Sequence, residues 1–198
     1  MWDKRYNQES YVYGKEPNEF LRSIDLSGFS GEVLCLAEGE GRNAVYLAQQ
    51  GFEVTAVDAS AVGLDKARRL AREKGVEIHT VHADLSHYQI EPGRFDGVVA
   101  IFAHFPEPLR LRVHRQAVEG LKTGGFLIME AYHKEQLKHG TGGPPREELL
   151  YDLEMLRADF GDQLDYHIAR EVEREVVEGQ FHSGKGAVVQ IFAVKKSI

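Results

Sequence analysis

Short apolar runs alternate along the chain with segments of helical period. Residues 33–37 (VLCLA) are apolar without interruption, as expected for a strand buried on both faces. Residues 42–50 place Ala44, Val45, Leu47 and Ala48 on one helical face, and Gly51 stops the helix. A second strand over 53–57 ends on Asp58, and Ser60 is the natural N-cap of a helix running to Lys74. Its inner face carries Leu64, Ala67, Leu70 and Ala71, and Gly75 closes it. The pattern then predicts strands over 76–83, 95–102 and 126–131. A helix over 108–121 and a turn at 122–125 precede the last of these. A helix over 147–160 is followed by strands over 163–177 and 186–195, whose short glycine-containing link implies an antiparallel hairpin. Strands alternating with helices give an α/β domain with a mostly parallel sheet. No repeat or linker divides it, so residues 1–198 read as one domain.

Residues 1–32 precede this alternation and are rich in aromatics, with Trp2, Tyr6, Tyr11, Tyr13, Phe20 and Phe29 broken by Gly14 and Pro17. They read either as a helix and loop packed on the core or as a flap over a ligand. In the second case each tyrosine face near a cation contributes about 0.5–2 kcal/mol.

The first strand–helix–strand unit also carries candidate chemistry. Gly39 and Gly41 let the backbone approach a ligand closely, and the helix that follows presents free N–H groups. Asp58 sits where a carboxylate accepts ribose hydroxyls, each such bond contributing roughly 1.5–3 kcal/mol. Asp84 ends the third strand in the same way and reads either as a contact to the base or as a surface acid capping a turn. Ligands of open parallel sheets bind beyond the C-terminal strand ends. Asp58, Asp84, His104, Tyr132 and His133 therefore belong to one rim. His79 and His82 face opposite sides of a strand, so no metal pair is expected.

Composition narrows the partners. Lys+Arg 24 against Asp+Glu 31 gives a net charge of −7, which argues against nucleic acid. No transmembrane run or signal peptide is present, and no membrane partner is expected. The single cysteine, Cys35, lies in the first strand and reads as a core residue rather than a nucleophile. It leaves no disulfide framework, so a cytoplasmic location is expected.

The segments WDKRY…YVYGKEPNEFL, AEGEGRNAVYLA, VTAVDAS, HADL, AIFAHFP, LKTGGFLIMEAY, TGGPP and EGQFHSGKGAVVQIFAV follow one another in the chain. Together they resemble the class I S-adenosylmethionine-dependent methyltransferases, and within them the tellurite-resistance-type group. The resemblance implies a Rossmann-like three-layer α/β/α sandwich with a seven-stranded sheet ordered 3-2-1-4-5-7-6. It implies S-adenosylmethionine as cofactor and S-adenosylhomocysteine as product. Gly39 and Gly41 would pass beneath the methionine part, with Asn43 in the same motif. Asp58 would hold the ribose, Ala59 would lie near the adenine, and Asp84 and Leu85 would meet its edge. Ile101 and Phe102 would flank the reacting centre. The usual first motif has an acid and a glycine where this chain has Cys35 and Ala37, and Glu38 is the candidate replacement for that acid.

A soft anionic acceptor such as a thiolate or a selenium or tellurium oxyanion needs no base. A hydroxyl acceptor does, and His104, His133, His182 and Tyr13 are the candidates. Each histidine also reads as an ordinary loop residue. The fourth strand lacks the Asn/Asp-Pro-Pro-aromatic tip that amide and exocyclic-amine methylation would imply, which favours a small-molecule acceptor. The rival readings are an NAD-dependent oxidoreductase, since Gly39-x-Gly41-x-x-Ala44 also fits a dinucleotide fingerprint, and a non-catalytic cofactor-binding protein. The oligomeric state is left open.

Overall fold

The computed structural model describes residues 2–179 and 183–197. Seven strands form one sheet in the order β3-β2-β1-β4-β5-β7-β6. They are β1 (Glu32–Leu36), β2 (Glu53–Asp58), β3 (His79–His82), β4 (Phe95–Ile101), β5 (Leu121–Tyr132), β6 (Leu164–Val177) and β7 (Ser183–Lys195). The first five run parallel, while β7 pairs antiparallel with both β5 and β6. The helices are α1 (Trp2–Tyr6), α2 (Glu19–Ser23), α3 (Arg42–Gln49), α4 (Ala61–Glu73), α5 (Glu107–Gly120) and α6 (Leu153–Phe160). Among the described residues no helix is long and apolar enough to cross a membrane.

Successive residues of a buried strand serve opposite faces, and β1 shows why its apolar run is unbroken. Val33 and Cys35 pack with Ala44 and Leu47 of α3 and Phe20 and Leu21 of α2. Leu34 and Leu36 pack with Val113 and Ala117 of α5 and Leu156 and Phe160 of α6. Cys35 is a fully buried core residue, and burial pushes its thiol pKa up.

Three sequence expectations give way to tertiary contacts. The helix expected over 147–160 is broken. Leu150 and Tyr151 are both fully buried, and the backbone straightens so that Tyr151 N–H reaches the Tyr132 carbonyl at 3.1 Å. Asp152 then starts α6 afresh, accepting from Met155 N–H at 2.7 Å. The third strand is confined to His79–His82, the length over which β2 offers partners from Thr55 to Asp58. The turn at 122–125 is instead a bulge inside β5, because Leu121 already pairs with Phe95 before the register shifts to Gly97 with Phe126.

Candidate cofactor site

The rim lies where β1 is flanked by β2 on one side and β4 on the other, the switch point at which chain connections diverge. Leaving β1, Ala37 takes a left-handed backbone with φ 51°, a conformation costing an L-residue about 1–2 kcal/mol. This is the position where the resembling motif has glycine. Gly39 and Gly41 follow with φ 64° and 88° and complete the bend into α3.

Glu38 turns back onto α3. One carboxylate oxygen accepts from Asn43 N–H at 3.0 Å and Ala44 N–H at 2.8 Å, satisfying two of the free donors at the helix start. Burial raises its pKa to about 7, against the pull of those two donors and of Arg42. Asp58 ends β2 with one oxygen accepting from Gly39 N–H at 2.8 Å and the other from Ser60 N–H at 2.8 Å. It is 7% exposed, and burial raises its pKa. A carboxylate has about four acceptor positions, so two backbone bonds aim Asp58 at the turn and leave capacity for ligand hydroxyls.

The two glycines owe their identity to protein neighbours as well. A Cβ on Gly41 would stand 2.5 Å from the Ala67 Cβ of α4, and one on Gly39 would stand 2.6 Å from the Tyr6 hydroxyl. The aromatic N-terminal segment therefore lies against the turn. It is tied there by Glu40, which accepts from Val12 N–H at 2.8 Å and from Lys66 Nζ at 2.5 Å. Lys66 also donates to the Ser10 carbonyl at 2.7 Å.

The other expected contacts are scattered around the same rim. Ala59 offers its carbonyl to His82 Nε2 at 3.1 Å. Asp84 is exposed, and the Ser86 side chain together with Ser86 N–H, which donates to it at 2.7 Å, lowers its pKa; it caps its own turn in this structure. Leu85 is buried, with its carbonyl taken by Arg112. Asn43 is also buried, and its side-chain oxygen accepts from Asn18 N–H at 2.9 Å rather than facing the turn. Ile101 belongs to the core beside α3. Phe102 has φ 52° and stacks on Tyr132 with ring centroids 4.6 Å apart, forming an aromatic wall past β4 and β5.

Two of the candidate bases carry structural work. His104 Nδ1–H donates to the Leu149 carbonyl at 2.7 Å, and its Nε2 accepts from Tyr132 N–H at 3.3 Å. Both nitrogens are occupied, and burial lowers its pKa to about 4, so the ring is neutral. His133 Nδ1 accepts from Glu135 N–H at 3.1 Å and caps the turn after β5. The Tyr13 hydroxyl accepts from Arg5 at 3.0 Å, and burial pushes the phenol pKa up. His182 lies outside the described residues.

Beside the turn lies a buried polar network for which the sequence offers no local signal. Glu130 of β5 is fully buried and accepts from Arg174 Nε at 3.0 Å, Asn18 Nδ2 at 2.8 Å and Gln190 Nε2 at 2.5 Å. Glu178 accepts from Arg42 at 2.5 Å, Arg174 at 2.8 Å and Asn18 at 2.8 Å. Two carboxylates and two guanidiniums thus join α3, β5, the hairpin and the start of α2.

Strand order, switch-point glycine turn and acidic β2 tip are those of the fold that class I S-adenosylmethionine-dependent methyltransferases share. Residues 33–125 match the family described as a methyltransferase domain. Over 134 residues the chain is 28% identical to the 2-heptyl-1-hydroxyquinolin-4(1H)-one methyltransferase of Mycobacteroides abscessus, covering 66% of this chain and 59% of that protein. The fold is shared with TehB from Haemophilus influenzae at TM-score 0.73 and 18% identity, covering 98% of this chain and 66% of TehB. It is also shared at TM-score 0.77 and 18% identity with a structure described as the conversion of a disulfide bond into a thioacetal group during echinomycin biosynthesis. That match covers 98% of this chain and 90% of the other.

The family implies S-adenosylmethionine as cofactor, and the residues of the turn fit it. Pyrophosphate binding by a dinucleotide uses the free N–H groups at a helix start. Here Glu38 already holds those of Asn43 and Ala44, so they are not free for a phosphate, and in its ionised form the carboxylate suits a cation. That charge argument counts against the NAD reading of the same glycine pattern.

Proposed function

We propose that the protein is an S-adenosylmethionine-dependent methyltransferase whose small-molecule acceptor arrives as a ready anion, a thiolate or a selenium or tellurium oxyanion. The observation that carries the cofactor half is the Glu38 carboxylate seated on the start of α3, with Asp58 fixed beside it by Gly39 and Ser60. When bound, the cofactor supplies a methyl group on a sulfonium, which passes to the nucleophile in line with the departing sulfur.

For this the chain has to bind, orient and exclude water. Asp58 orients the nucleoside and the acidic turn favours the cationic tail. The stacked Phe102 and Tyr132 rings give the acceptor side a water-poor wall. Holding two reactants in line can supply effective molarities of about 10⁵–10⁸ M, so positioning alone provides a large part of the rate. Both ring nitrogens of His104 are engaged by backbone groups, and His133 has Nδ1 held by Glu135 N–H and Nε2 3.5 Å from Glu171, an arrangement that supports an acceptor needing no base from His104. The fold neighbour named for thioacetal formation handles sulfur, in keeping with such an acceptor.

The test is incubation with methyl-labelled S-adenosylmethionine and a panel of thiols, selenite, tellurite and phenols, with products read by mass spectrometry. The expected outcome is methylated thiol or chalcogen product, at a rate that rises with pH as the acceptor ionises. Methylation of phenols alone would contradict it.

A further inference from the structure

We propose that Tyr6 is a cofactor-binding residue, its hydroxyl donating a hydrogen bond to the S-adenosylmethionine that lies along the Gly39 turn. This rests on the cofactor reading above and adds to it a residue outside the matched methyltransferase domain, 33–125.

The ring's position is fixed from both ends. Measured from ideal Cβ positions, Gly63 at the start of α4 stands 3.1 Å from Tyr6 Cδ2, and Gly39 stands 2.6 Å from the hydroxyl and 3.2 Å from Cζ. The ring therefore runs from α4 to the turn with its hydroxyl foremost, across two positions where no side chain fits. Trp2 stacks on it at 5.9 Å with planes 22° apart, and Tyr13 meets it edge-on at 6.3 Å.

The backbone of α1 is held as firmly. Asp3 accepts from Ser60 Oγ at 2.5 Å, and Lys66 Nζ donates to the Tyr6 carbonyl at 3.2 Å. Ser60 N–H is in turn bonded to Asp58, so α1 is joined to the β2 tip through one residue.

Tyr6 is 5% exposed as a residue, its hydroxyl is not among the side-chain atoms sealed from solvent, and it makes no hydrogen bond to another described residue. Burial and the neighbouring Asp58 charge push the phenol pKa up, so the group is a donor at any working pH. A rigidly held hydroxyl that makes no hydrogen bond to the described residues, set on the glycine turn beside Asp58, is suited to an acceptor on the bound cofactor.

The test is Tyr6→Phe, which removes one oxygen and keeps the ring. Thermal unfolding of the free protein is expected to be unchanged, because the hydroxyl has no protein partner to lose. Calorimetry is expected to show affinity for both S-adenosylmethionine and S-adenosylhomocysteine weakened by about 3- to 10-fold, the loss of one neutral hydrogen bond. If wild type binds and Tyr6→Phe binds equally or more tightly, this proposal fails while the cofactor reading stands. No binding by wild type removes both. Should Tyr6→Phe not fold, Asp3→Ala loosens α1 without touching the ring. It is expected to weaken both ligands, and unchanged affinity there overturns the proposal.

Discussion

Glu38→Gln tests the charge logic of the turn. In the free protein burial holds the Glu38 pKa at about 7, so at pH 5 about one molecule in a hundred carries the carboxylate ionised. A bound cation favours the ionised form, and binding therefore strengthens as pH rises. If only the ionised form binds well, apparent affinity for S-adenosylmethionine falls about tenfold per pH unit below 7, reaching about a hundredfold at pH 5. Glutamine keeps an oxygen for the N–H groups of Asn43 and Ala44 but never ionises. Its profile should lie at the weak level and be flat, apart from a contribution from Asp58, whose pKa burial also raises. Calorimetric titrations of both proteins from pH 5 to 8 isolate Glu38 as the difference between the two profiles. Superimposable profiles would refute the reasoning.

Two further outcomes follow from buried groups. Glu130→Ala leaves Arg174 and Gln190 without their main acceptor inside the fold and is expected to cost about 3–5 kcal/mol in urea unfolding; a loss below about 1 kcal/mol contradicts the network's role. His104 is neutral in the fold with its pKa lowered to about 4, so as pH falls below about 6.5 the unfolded chain takes up the proton first and stability declines. Glu38, with its pKa raised, acts oppositely over about 4.5 to 7, since its protonation favours the fold. Comparison with His104→Gln separates them: between pH 7 and 4.5 wild type should lose about 2 kcal/mol more than the variant, and equal losses would show that His104 does not titrate as described.

The parts of the fold readable from sequence are those in which local pattern and tertiary demand agree. The unbroken apolar run of β1, the 3.6-period face of α3 and the Ser60 cap of α4 each satisfy the packed structure without compromise, and Ser60 Oγ accepts from Gly63 N–H at 3.0 Å. The strand order came with the family resemblance rather than with periodicity. The continuous helix over 147–160 failed because Tyr151 is drawn beside Tyr132, a contact that helical periodicity does not encode.

In the site, the glycine turn and Asp58 were legible because tight turns and strand-end acids have local signatures. The second partner of Gly39 was not. That Tyr6 fills the space beside it depends on how α1 packs, 33 positions earlier in the chain. Glu130, Arg174, Glu178 and Asn18 are likewise separated along the sequence, and each taken singly resembles an ordinary surface residue. Only their convergence shows Asn18, Glu130 and Glu178 to be buried, with Arg174 half-buried against them. Glu38 departs visibly from the usual motif, but its bond to the start of α3 is a product of the turn's packed geometry.

Equilibrium titration of the full chain with S-adenosylmethionine and, separately, with NADH tests the central claim most directly. Saturable one-site binding of S-adenosylmethionine is predicted, weakened by about 1.5 kcal/mol or more in Asp58→Ala, with no binding of NADH. Tight NADH binding without any affinity for S-adenosylmethionine would contradict the account.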